Sequence, residues 1–145
     1  MPTRTARTSW SGGLEDGSGT VTLASSGLGS YEISFPKRAA DDAGGATSPE
    51  ELIAAAHAGC FAMQFSALLG AAGGTGQSLD VTSAVTLGPD PAGGFRISGI
   101  KLTVSGSADG VSAADFARIA ADAKAGCPVS KALVGTTITL EIAGA

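Results

Sequence analysis

Thr47-Ser48-Pro49-Glu50-Glu51-Leu52-Ile53-Ala54-Ala55-Ala56-His57-Ala58-Gly59-Cys60-Phe61 opens the segment whose reading decides the fold. Its first residues spell a helix start. Ser48 suits the cap, Pro49 suits the first helical position, and Glu50 and Glu51 complement the positive end of the helix dipole. Glu51 also stands at the third position of a capping box. From Leu52 to Leu79 no charged residue occurs, and a helix apolar on every side is a central, buried one. A membrane span needs about 20 apolar residues, but His57, Gln64 and Ser66 interrupt this run, and Gly70, Gly73, Gly74 and Gly76 end it. No Trp/Tyr belt or Lys/Arg flank anchors it. The expectation is a core helix, with no membrane partner.

Working outward, Arg4–Trp10, Gly19–Ser25 and Tyr31–Phe35 read as short strands broken by glycine, and Pro36–Ala46 as a loop. Beyond the helix, Val81–Leu87 and Phe95–Val104 read as hairpin strands around a turn at Pro89–Gly94. Ser112 caps a second helix reaching Ala125, with Asp115 in its first turn and Phe116, Ile119, Ala120 and Ala123 at helical spacing. Cys127 takes the cap position of a short helix opened by Pro128, and Thr136–Ile142 is a last β-branched strand. The sum is an α+β fold: an antiparallel β-sheet with a long buried central helix and a second helix.

A chain of 145 residues is one domain's length, here 1–145, and 43% apolar residues suffice for a core. Nine Lys and Arg against thirteen Asp and Glu leave a net charge of −4 without a basic block, which argues against nucleic acid as a partner. Glycine is abundant, at 22 residues, and aromatics are only 5%. A domain so poor in large side chains gains core by pairing with a copy of itself. Cys60, Cys127 and His57 total three, short of the four ligands of a structural zinc site, so neither metal nor cofactor is expected. The stretch Met1–Trp10 is charged and polar, unlike a secretory signal, which predicts a cytoplasmic protein with reduced thiols. The two cysteines are then inert core residues or a redox pair.

Cys60 lies about twelve residues into the helix, beyond reach of the dipole, which fades within the first turn. Burial raises a thiol's pKa, so a reactive Cys60 requires an imported positive charge. Arg38, in the loop before the helix, is the nearest candidate, with Arg4 and Arg7 as competitors. Cys127 is placed differently, at a helix start whose unpaired N–H groups favour a thiolate. One deep sulfur and one at a helix start suit a peroxidatic and a resolving thiol. His57, three residues before Cys60, shares its helical face. It is either the base of a cysteine hydrolase or a satisfied core histidine.

The stretch Thr47–Phe61 quoted above resembles the first cysteine motif of the OsmC/Ohr family of thiol-dependent peroxidases. Ala125-Gly126-Cys127-Pro128-Val129-Ser130-Lys131-Ala132-Leu133 resembles the second. Glu51 and the Ala-His-Ala stretch look like the OsmC branch. The resemblance implies an intertwined homodimer that reduces organic hydroperoxides to alcohols at sites on the subunit interface. By position it makes Cys60 the peroxidatic nucleophile, Cys127 the resolving thiol, Arg38 the activating guanidinium and Glu50 the carboxylate pairing with it. It also implies an intramolecular disulfide re-reduced by an external dithiol, with a lipoyl dithiol as the donor the family suggests. Glu50 and Cys60 are ten residues apart, about 15 Å of helix rise, so on one straight helix they cannot share a site. A second chain would then bring Glu50 to Cys60. Two rival readings stay open: a hydrolase using Cys60 and His57, and a non-catalytic module binding apolar ligands.

Overall fold

The computed structural model describes residues 1–143, and the chain divides into two compact units, Met1–Pro49 and Glu50–Ala145.

The first unit is a three-stranded antiparallel sheet of β1 (Arg7–Ser11), β2 (Ser18–Thr22) and β3 (Ser30–Ile33), in the order β1-β2-β3. The segment read as a loop from Pro36 instead begins with a one-turn helix, α1 (Phe35–Ala39). Its cause is local. Ser34 is extended at the cap and its hydroxyl accepts from the Lys37 N–H at 3.4 Å, while Pro36 supplies a helix-ready φ in the first turn. Arg38 sits in its last turn. The Lys37 ammonium reaches back to the Glu32 carboxylate at 2.8 Å, and the Thr47 N–H donates to the Glu32 carbonyl at 2.9 Å, so the chain returns beside β3 before the long helix begins.

The second unit contains the long helix α2 (Pro49–Ala71), the strands β4 (Thr75–Pro89) and β5 (Phe95–Asp109), the helices α3 (Ala113–Gly126) and α4 (Pro128–Ala132), and the strand β6 (Ile138–Ile142). β4 and β5 form an antiparallel hairpin, and β6 runs parallel to β5 along its other edge, Ile100 facing Ile138 and Val104 facing Ile142. Both hairpin arms are longer than the apolar alternation alone suggests. Residues such as Asp80 and Gly88 have weak strand preference, and ladder pairing to Ser105 and Arg96 of the opposite arm overrides it.

α2 is long and apolar enough to cross a membrane by length and composition. In this unit it is buried along one stripe, with His57, Phe61, Phe65 and Leu69 at four-residue spacing, while Met63 on the other side is exposed. The stripe packs on Leu102 and Val104 of β5 and on Phe116, Ile119, Ala120 and Ala123 of α3. Phe65 is the centre: its ring lies 5.6 Å from Phe61 and 4.8 Å, edge-on, from Phe116. Fully burying such a side chain contributes about 2–3 kcal/mol. α3 follows its expected signals, with the Ser112 hydroxyl accepting from the Asp115 N–H at 3.1 Å.

Gly106 shapes the sheet beside this core. It has φ +142°, opposite the irregular start of β4, and a Cβ there would lie 2.0 Å from the Ser78 carbonyl oxygen. No side-chain adjustment relieves a clash with backbone. Gly106→Ala is expected to cost about 2–4 kcal/mol of stability, read from a lowered urea midpoint at unchanged m-value.

Candidate active site

The helix that carries Cys60 and the turn that carries Cys127 meet at the end of the core. Cys60 lies on α2 one residue before the Phe61–Leu69 stripe, half-buried against it. Cys127 joins α3 to α4. Its N–H donates to the Ala123 carbonyl at 2.8 Å, its carbonyl accepts from the Lys131 N–H at 3.0 Å, and its side chain is wholly buried. The backbone of Cys127 is thus held from both helices. Across 67 residues of sequence, the two sulfurs stand 3.2 Å apart, and both are free thiols.

Their surroundings differ in a way that follows from position. Burial pushes the Cys60 thiol above its ordinary range; the Val129 N–H draws it down, but the hydrogen bond and charge of Cys127 push it up again. Cys127 is also raised by burial, yet the Ser130 N–H, the Cys60 thiol, the Ser130 hydroxyl and the Val129 N–H together outweigh that and bring it below its ordinary range. The N–H groups act at short range as partial positive charges without closing a capping hydrogen bond of regular geometry. Burial and the neighbouring sulfur thus raise Cys60 while nearby donors lower Cys127, and Cys60 is the more accessible of the two.

His57 does not pair with Cys60. The turn of helix between them directs the imidazole into the core, where it is wholly buried and its Nε2 lies 2.8 Å from Oγ of Ser130. That matches the core histidine reading and leaves the hydrolase reading without its base. Ser130 carried no separate signal in the sequence beyond its place inside the second motif. Its spacing three residues after the cap position, where a side chain folds back toward the cap, is the feature that points to it.

Glu50 is buried at the start of α2, and Cys60 follows ten residues later on the same unbroken helix, about 15 Å along its axis. Within one chain these two do not share a site. Arg38 belongs to the first unit, on α1. Among the described residues no group of three or more His, Cys, Asp or Glu side chains converges as a metal site.

The profile of the OsmC-like protein family matches residues 41–143, a span that includes both cysteines and the whole of α2. Peroxiredoxin OsmC of Escherichia coli (strain K12) is 44% identical over 124 residues, 86% of this chain and 85% of that protein. Peroxiredoxin OsmC of Shigella flexneri matches to the same extent. Among solved structures, an organic hydroperoxide resistance protein from Elizabethkingia anophelis aligns with a TM-score of 0.77 at 27% identity, covering 98% of this chain and 96% of that one. The organic hydroperoxide resistance protein OhrB of Bacillus subtilis aligns with a TM-score of 0.73 at 26% identity, covering 95% and 97%. With sequence and fold agreeing over nearly the full length, this chain belongs to the OsmC-like protein family.

Proposed function

We propose that this peroxidase-type enzyme reduces organic hydroperoxides to alcohols, with Cys60 as the peroxidatic nucleophile and Cys127 as the resolving thiol. The observation that carries the reading is the 3.2 Å separation of two free sulfurs from distant parts of the chain. A disulfide needs about 2.05 Å, so a small movement closes the bond. Accessibility supports this division of roles. The substrate must reach the attacking sulfur, and Cys60 is the less buried of the two, while buried Cys127 is held ready to attack a neighbour.

In the cycle, the Cys60 thiolate attacks the terminal oxygen of ROOH. The O–O bond breaks, RO⁻ leaves and takes a proton to become the alcohol, and Cys60 becomes a sulfenic acid. The Cys127 thiolate then attacks the Cys60 sulfur and expels hydroxide, giving the Cys60–Cys127 disulfide. An external dithiol reduces it by exchange and is itself oxidised to a disulfide; a lipoyl dithiol suits this chemistry. Because burial and Cys127 disfavour a Cys60 anion, the reading needs a cation from elsewhere. Arg38 fills that role, steadied by Glu50. Since Glu50 stands about 15 Å of helix from the Cys60 of its own chain, a second copy supplies both, and the working unit is a homodimer in which residues 1–145 act as one OsmC-like domain. A cytoplasmic location keeps both thiols reduced between turnovers.

Counting free thiols after one equivalent of cumene hydroperoxide tests the reading. Loss of both Cys60 and Cys127 is the expected outcome. Loss of one contradicts a resolving role for Cys127, and loss of neither contradicts peroxidase chemistry.

A further inference from the structure

His57 and Ser130 form a buried polar pair that the cycle above leaves unused. They lie 73 residues apart in sequence, on α2 and α4, with Nε2 and Oγ 2.8 Å apart and almost no exposure at either residue. An apolar side chain would fill the same core position without desolvating an imidazole, so the polar choice has a consequence. Burial holds the His57 pKa below its usual value, so the ring is neutral near pH 7 and carries one proton. Among the described residues Nδ1 has no hydrogen-bond partner. A buried N–H without an acceptor is the rarer orphan, so the proton belongs on Nε2, where Ser130 Oγ can accept it. With its oxygen engaged as an acceptor, the Ser130 hydroxyl has its own proton to give; it stands buried in the first turn of α4, three residues after the buried Cys127 cap, and it draws the Cys127 thiol pKa down.

We propose that His57 and Ser130 are positioning residues for Cys127: His57 Nε2–H donates to Ser130 Oγ, which turns the serine proton onto the Cys127 sulfur and keeps that sulfur a ready nucleophile. The chain of donors is directional, and each hydrogen bond polarises the next. A hydrogen bond accepted by an anion is stronger than one accepted by its neutral form, so the arrangement favours the thiolate. The proposal rests on reading Cys127 as the resolving thiol, and the experiment separates the two.

In a Cys60→Ser background Cys127 is the one thiol, and its ionisation is followed by thiolate ultraviolet absorbance against pH. Ser130→Ala is expected to raise the midpoint by about one pH unit, and Ser130→Thr, which keeps the hydroxyl, to return it toward the parent value. His57→Leu is expected to raise it too, and His57→Gln, which keeps an N–H donor, to raise it less. With both cysteines present, Ser130→Ala is expected to slow disulfide formation in a single turnover about tenfold, the slowing confined to that step. A lowered melting temperature with an unmoved midpoint makes the pair a structural link between α2 and α4 and overturns the proposal. If His57→Leu fails to fold, the Ser130→Ala and Ser130→Thr comparison decides alone. If the midpoint shifts but cumene hydroperoxide is not reduced by the parent chain, the peroxidase reading fails and the positioning of Cys127 stands.

Discussion

A Cys60→Ser variant is expected to consume hydroperoxide no faster than the uncatalysed reaction, while Cys127→Ser completes one turnover and then stops. The asymmetry follows from which bond each sulfur makes. Without the Cys60 sulfur nothing attacks the peroxide oxygen, because a serine hydroxyl is not ionised near neutral pH and Cys127 is wholly buried. Without the Cys127 sulfur, Cys60 still becomes a sulfenic acid and one alcohol is released, but no neighbouring thiol protects it. A second peroxide then converts it to the sulfinic acid, which an ordinary dithiol does not reduce. Stopped-flow consumption in Cys127→Ser should show a fast burst of one equivalent per chain followed by slow uptake of a second, and intact-mass analysis should then find two added oxygens on Cys60. Sustained turnover in Cys127→Ser would remove the resolving role. Turnover in Cys60→Ser would reverse the assignment of the two sulfurs.

Arg38→Ala is expected to lower the rate of Cys60 oxidation at pH 7 by about a hundredfold or more, from the thiolate fraction alone. A thiol near its ordinary pKa is ionised to only about a few per cent at pH 7, and Cys60 is pushed higher still by burial and by Cys127. A guanidinium brought against the sulfur favours the anion and lowers the pKa, and its removal returns Cys60 to the mostly protonated state. The sign for pH follows directly. In Arg38→Ala the rate should climb as pH rises toward the raised thiol pKa, recovering much of the loss, whereas the parent enzyme should vary little across the same range. A loss that stays constant with pH would mean that Arg38 binds peroxide without ionising the sulfur. If the guanidinium comes from the second chain, mixing Arg38→Ala with Cys60→Ser should restore activity that neither has alone. The mixed dimer holds one site with an intact Cys60 and an intact Arg38. No recovery on mixing, with subunit exchange verified, would place both groups in one chain.

The elements that were legible along the chain are those governed by neighbours. α2 starts at Pro49 and is followed by positive-φ glycines at Gly73 and Gly76, and α3 starts after the Ser112 cap, because caps, proline and glycine act within one turn. Cys127 as a cap residue before Pro128 was readable for the same reason. The α1 turn was hidden among loop-like residues, since Ser34 lies outside the stretch whose composition reads as loop and its cap is a single hydrogen bond. The full length of the β4–β5 hairpin was hidden because ladder pairing, not residue preference, extends it. The parallel pairing of β6 against β5 depends on where the chain returns after α4, and no residue type encodes that.

Sequence alone determined the family and the starts of α2 and α3, and it singled out two sulfurs as candidates, because motifs and caps are properties of adjacent residues. Tertiary structure alone decided that those sulfurs stand 3.2 Å apart, that His57 bonds Ser130 and not Cys60, and that burial raises the Cys60 thiol while nearby donors lower Cys127. Thiol reactivity is set by burial, by nearby N–H groups and by the other sulfur, and these converge on one point only when α2 packs against the turn between α3 and α4.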